Sequence, residues 1–154
     1  MAYRIQGLSP EPFKHLFGLP DEELAKQGVV RMTVTDPTFP CRVSLTDRDL
    51  GEKVLLLNHV SHDVANPYRA AHAIFITETD QDPAEYVDEV PPVFEKRVLS
   101  LRGFDRDGMM AEAILTQPGE ADAGIRRLFA NPEIETIHAH NAVRGCFSAK
   151  IERN

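Results

Sequence analysis

Ile137-His138-Ala139-His140-Asn141-Ala142-Val143-Arg144-Gly145-Cys146-Phe147-Ser148-Ala149-Lys150-Ile151 is the stretch that decides the fold. Two alternating runs flank a short polar turn with a glycine, which is the pattern of an antiparallel hairpin. Side chains on a strand alternate faces, so Ile137 and Ala139 share one face and His138 and His140 the other. On the returning strand Phe147, Ala149 and Ile151 share a face, opposite Cys146, Ser148 and Lys150. Apolar must oppose apolar, so paired residue numbers should sum to an even value. The simplest such register leaves the loop Asn141 to Gly145. It pairs Ile137 with Ala149, Ala139 with Phe147, His138 with Ser148, and His140 with Cys146. A register shifted by two pairs His138 with Cys146 instead.

Opposed side chains have Cβ atoms about 4.5–5.5 Å apart. An imidazole and a thiol at that spacing can exchange a proton, and a charged imidazole favours the nucleophilic thiolate. Cys146, His140 and His138 are therefore candidate catalytic residues. Asn141, at the mouth of the loop, would orient a substrate or an imidazole. The plainer alternative is a wet hairpin face with an inert thiol, since most cysteines are inert and most histidines only hydrogen bond.

Working outward, the same pattern reading gives Tyr3 to Leu8 as a strand and a helix after the Ser9-Pro10-Glu11 start signal. A short helix, Asp21 to Gln27, ends at Gly28. Further strands are expected at Val29 to Thr35, Cys41 to Leu45, Lys53 to Asn58 and Ala71 to Thr77, with His59 to Arg69 a polar loop between the last two. Arg97 to Phe104 and Met109 to Thr116 form a hairpin around Asp105-Arg106-Asp107-Gly108. Pro118 to Ala130 reads as a helix with Ile125, Leu128 and Phe129 buried, stopped by Pro132. The fold class expected is α+β: a mainly antiparallel sheet of about seven strands with about three short helices, ending in a β-hairpin.

The chain has 154 residues, 42% of them hydrophobic. That is the size of a single domain, 1–154, able to bury a core. The densest apolar run, Val54 to Leu57, is far short of the roughly 20 residues of a membrane helix. Met1 to Gln6 lacks the basic start and apolar block of a signal peptide. With two cysteines, Cys41 and Cys146, the expected setting is the reducing cytoplasm, without a structural disulfide. The net charge of −7 is concentrated in one segment. Glu78, Asp80, Asp82, Glu85, Asp88 and Glu89 are interrupted by no Lys or Arg, and this run to Pro92 should lie mostly outside the sheet and exposed. No basic cluster marks a nucleic-acid surface. Neither nucleic acid nor membrane is an expected partner, and oligomeric state is not legible.

Other positions carry chemistry. In the Pro40-Cys41-Arg42 strand, Cys41 should face the core with Val43 and Leu45. Arg42, turned the other way, could bind an anion through its planar fork or form a structural ion pair. Arg102 sits mid-strand opposite Leu99 and Leu101, where it needs an acid or a ligand. With Tyr68 and Arg69 it completes a candidate set for a small anionic molecule. His59-x-x-His62 with His138-x-His140 holds enough nitrogen for a metal, yet no HExxH, CxxC or facial triad supports one, so no metal or cofactor is expected. There is also no phosphate loop, GxSxG elbow or dinucleotide fingerprint.

Pro40-Cys41-Arg42-Val43-Ser44-Leu45, Gly51-Glu52 before Val54-Leu55-Leu56-Leu57, Pro67-Tyr68-Arg69-Ala70, and the terminal Ile137-His138-Ala139-His140-Asn141-Ala142 with Gly145-Cys146 resemble the domain-of-unknown-function 1203 family. Its members are bacterial proteins of about this length. One departure is Ala71-His72-Ala73, where the resemblance implies Ser-Gly-Pro; this argues against a backbone anion site of that kind. The resemblance implies no activity, so the roles above rest on residue chemistry. Three functions compete: a Cys–His site acting on or sensing a small molecule, a non-catalytic anion-binding domain, and a histidine metal site.

Overall fold

Strands dominate the molecule. The computed structural model describes residues 2–79 and 82–154. In chain order the strands are β1 (Tyr3–Gln6), β2 (Val30–Thr33), β3 (Pro40–Cys41), β4 (Thr46–Asp47), β5 (Lys53–His62), β6 (Ala70–Thr77), β7 (Glu85–Val87), β8 (Leu99–Phe104), β9 (Met110–Thr116), β10 (Thr136–Asn141) and β11 (Phe147–Arg153). The helices are a 3-10 helix (Glu11–Leu16), α1 (Asp21–Lys26), α2 (Pro92–Glu95) and α3 (Ala121–Phe129). The α+β class holds, but the strands form two sheets rather than one. Their orders are β7-β1-β11-β10-β8-β9 and β2-β5-β6-β3-β4. All pairings are antiparallel except β3 with β6. Alternation reveals which face of a strand is apolar; it does not reveal which strands share a sheet.

Each sheet has its own apolar cluster. In the six-stranded sheet, Leu99, Leu101, Ile137, Ala139, Ala149 and Ile151 face Ile125, Leu128 and Phe129 of α3. Burying each large side chain of this set contributes about 1.5–3 kcal/mol. In the five-stranded sheet, Leu55, Leu57, Ile74 and Ile76 pack with Phe13, Leu16 and Leu24 from the N-terminal helices.

Three local expectations need correction. Cys41 to Leu45 is not a strand: only Pro40–Cys41 pairs, and the chain then turns. Leu45 takes a left-handed φ of 54° and its N–H donates to the Cys41 carbonyl at 2.9 Å. The turn is captured from both sides, with Leu8 N–H on the Arg42 carbonyl (2.8 Å) and Ala84 N–H on the Val43 carbonyl (2.9 Å). Second, β5 runs on through His59 to His62, so these histidines lie on a strand and not in a loop. The acidic segment lies mostly outside the sheets, as expected; of its described residues Glu85–Val87 alone join, as an edge strand. Its acids still avoid the interior: Asp82, Glu85, Asp88 and Glu89 are exposed, and Glu78 is paired with Arg31 at 2.7 Å. Asp80 lies outside the described residues.

The third correction is the terminal hairpin. Its register is even, but shifted by two: Ile137 opposes Ile151, His138 opposes Lys150 and Ala139 opposes Ala149. A bulge at Ser148 then sets His140 opposite Phe147. The extra residue reverses the parity of the strand beyond it. Phe147 leaves the apolar face with Ala149 and Ile151 and joins the histidine face, and Cys146 falls opposite Asn141 rather than His140, with Asn141 N–H on the Cys146 carbonyl at 2.9 Å.

Candidate functional site

His138 and His140 project from β10 away from α3, towards the second sheet. There they meet histidines of β5 and β6. The His138 ring lies 5.0 Å from His62, and the His140 ring 4.8 Å from His72, both edge-on. Phe104 packs 4.1 Å from His62 and 4.9 Å from His138, and Phe147 packs 5.4 Å from His138. His59 closes the layer between Phe13 and Phe147. His59 and His62 are an odd number of residues apart and would normally face opposite ways. A second bulge, between Val60 and His62, puts both on the inner face. Five of the six histidines of the chain therefore form the seam between the sheets.

Burial holds His138 and His140 neutral. His138 is 3% exposed and His140 2%. Loss of water pushes His138 down to about 3, with His62 and His140 adding to the effect. Burial likewise pushes His140 down to about 4, although its bond to the Gly145 carbonyl acts in the opposite direction. His59 and His72 are lowered by burial as well. His140 Nδ1–H donates to the Gly145 carbonyl at 3.0 Å, which fixes its tautomer. Gly145 has φ +79°, a left-handed conformation that a side chain would strain. That turn delivers Cys146.

The polar centre of the site is next to the seam. Arg42 is 2% exposed. Its Nε donates to the Phe147 carbonyl at 2.7 Å, its Nη1 to the Pro40 carbonyl at 2.5 Å, and its Nη2 to Cys146 Sγ at 3.3 Å. Among the described residues no carboxylate touches it. Burial draws its pKa down from the ordinary value, and the Cys146 sulfur opposes that shift. Asn141 Nδ2 donates to the same sulfur at 3.4 Å, while Asn141 Oδ1 is buried without a partner among the described residues.

These groups open onto a groove of about 950 Å³. One wall is apolar, with Met32, Phe39, Leu56 and Phe75. The rest carries Arg42, Lys96, Arg97, Arg144, His72, Asn141 and Cys146. Asp36 is the one acid among the described residues that line it. Arg97 is neutralised by Asp47 at 2.6 Å. For Lys96 and Arg144 the described residues offer no ion pair. Thus a chain of net charge −7 keeps an excess of positive charge in one concavity, where low-dielectric walls focus it.

The expected site residues separate into three groups. Cys146, Asn141 and Arg42 come together. His138 and His140 lie behind them, and the expected direct opposition of His140 and Cys146 is absent, because the bulge at Ser148 puts Phe147 there. Arg102 shares the face of His138, as its parity requires; it donates to Ser100 Oγ at 3.3 Å and finds no acid among the described residues. Tyr68 and Arg69 do not line the groove. Arg69 is exposed and paired with Asp63, and Tyr68 packs its edge 6.3 Å from Phe104. No group of three His, Cys, Asp or Glu among the described residues has metal-binding geometry. Cys41 is fully buried, 4.0 Å from Thr77 Oγ1. Lys96, Arg97 and Arg144 were not singled out in the sequence. The adjacent basic pair directly after the acidic run is the signal that could have found the first two.

The fold and site define a two-sheet α+β protein with a histidine seam and a basic, thiol-bearing groove. The chain belongs to a family described as a protein of unknown function, DUF1203, whose model matches residues 38–153. That span contains every histidine of the seam, together with Arg42, Asn141 and Cys146. Neither the curated proteins nor the solved structures contain a match. No helix among the described residues is long and apolar enough to cross a membrane.

Proposed function

We propose that this protein binds a small organic anion in the groove beside Cys146. The observation that carries the proposal is the charge imbalance. Lys96 and Arg144 stand at a concavity with one acid among the described residues that line it, on a chain of net charge −7. A structural role would pair these cations, as Arg97 is paired with Asp47 and Arg31 with Glu78. The apolar wall of Met32, Leu56 and Phe75 suits the carbon skeleton of such a ligand, which favours a carboxylate over a bare inorganic ion. Asn141, which lines the groove, supplies a polar side chain that can fix orientation.

Thermal denaturation of the full chain with malonate, succinate and inorganic phosphate tests this. A dicarboxylate should raise Tm in a concentration-dependent way, more than phosphate does. K96E combined with R144E should weaken binding about tenfold, roughly 1.4 kcal/mol, with little change in Tm without ligand because both positions are exposed. A ligand shift that survives the double reversal, or no shift with any of the anions, would overturn the proposal.

A further inference from the structure

Arg42 poses an electrostatic problem. A cation that is 2% exposed has lost its water and needs a counter-charge, or it costs several kcal/mol. Two of its donors go to carbonyl oxygens, which are dipoles and not charges. The third, Nη2, reaches Cys146 Sγ. Asn141 Nδ2 reaches the same sulfur from the hairpin. A sulfur that receives two N–H donors, one of them charged, is arranged as an acceptor. The group that satisfies both Arg42 and this geometry is a thiolate.

We infer that Cys146 is a nucleophilic thiolate with buried Arg42 as its counter-ion, and that it reacts with an anionic molecule bearing a soft electrophilic carbon. The substrate class rests on the anion-binding reading of the groove; the thiolate does not. Cys146 is the nucleophile, and Arg42 and Asn141 are positioning residues. His140 is not the base, because the bulge sets Phe147 and not Cys146 opposite it, and the groups on Sγ are Arg42 and Asn141. Sγ attacks the carbon, the Sγ–C bond forms, and the bond to the leaving group breaks, with the electron pair departing on that group. The sulfur is already ionised, so no proton moves. The thioether product is neutral and would strand Arg42 without a counter-charge. An electrophile that brings its own carboxylate avoids this, which is why the site should favour one.

Iodoacetate and iodoacetamide test this on the full chain, with labelling at Cys146 and Cys41 followed by mass spectrometry. Iodoacetate should label Cys146 more than about tenfold faster than Cys41 at neutral pH, and faster than iodoacetamide does. Between mildly acidic and mildly alkaline pH that rate should change by less than about threefold, whereas an ordinary thiol such as glutathione gains on the order of tenfold per unit. R42Q, which removes the charge, should slow Cys146 and restore a steep pH profile, R42K, which keeps it, should retain a shallow one, and N141A should slow Cys146 while the profile stays shallow. A Cys146 rate that climbs with pH as glutathione does would overturn the thiolate. Equal rates with the two reagents on a shallow profile would keep the thiolate and overturn the anionic substrate class. Anion-induced stabilisation with an inert Cys146 would keep the groove and overturn the nucleophile.

Discussion

The two faces of β10 are equally buried and chemically opposite. Ile137 and Ala139 press against α3 in a conventional apolar cluster, both fully buried. His138 and His140, one residue away, press against the second sheet with almost no exposure, and hold their rings neutral at a cost. The apolar face is a source of stability that ignores pH. The histidine face joins two sheets and positions the Gly145 turn that carries Cys146. Its Nδ1 atom on His138 is buried with no partner among the described residues, a feature that packing alone would not retain.

The largest expected difference between the faces is in acid. The folded pKa of His138 is about 3 and of His140 about 4, against 6.5 for a free imidazole. Both are depressed, so their contribution is complete above pH 6.5 and is lost as pH falls towards those folded values. Each histidine then costs about 1.4 kcal/mol per pH unit. Urea midpoints across this range should fall steeply, and H138L should remove its share of the slope. A slope unchanged in H138L would place the acid sensitivity elsewhere.

On the opposite face, I137A should cost about 2–5 kcal/mol through the cavity left against α3. That loss should be the same at neutral and mildly acidic pH. A loss that grows with acid would mean the two faces are coupled through the strand. G145A lies between the regions and should cost about 1–2 kcal/mol, because φ +79° is a left-handed conformation. It should also weaken anion binding, by moving the turn that holds Cys146. The smallest effect belongs to R69A: an exposed ion pair with Asp63 is worth less than about 1 kcal/mol. Calorimetric titration with malonate should find its affinity unchanged, whereas an affinity loss would return Arg69 to the site.

Strand parity made the alternation on β10 legible, along with the face of Arg102. It failed where the chain inserts one residue. Nothing in Phe147-Ser148-Ala149 marks a bulge, so the sequence reading gave Cys146 the wrong partner, His140 instead of Arg42 and Asn141. The left-handed φ at Leu45 is equally silent, since leucine has no preference for it, and the Arg42 turn was read as a strand. His59 and His62 looked like loop residues because polar side chains interrupt the apolar run. Their burial depends on a facing sheet, and sheet partnership is a long-range property. Lys96 and Arg144 reach the groove only through that same packing.

The groove is tested most directly by two-dimensional NMR of the labelled protein during titration with malonate. The account predicts saturable shifts of the Asn141 side-chain amide and of the Val98, Gly145 and Cys146 backbone amides, with Tyr68 and Arg69 unmoved, and with saturation delayed about tenfold in the K96E and R144E double variant. Shifts centred on Tyr68 and Arg69, or none in the Cys146 turn at saturating malonate, would contradict it.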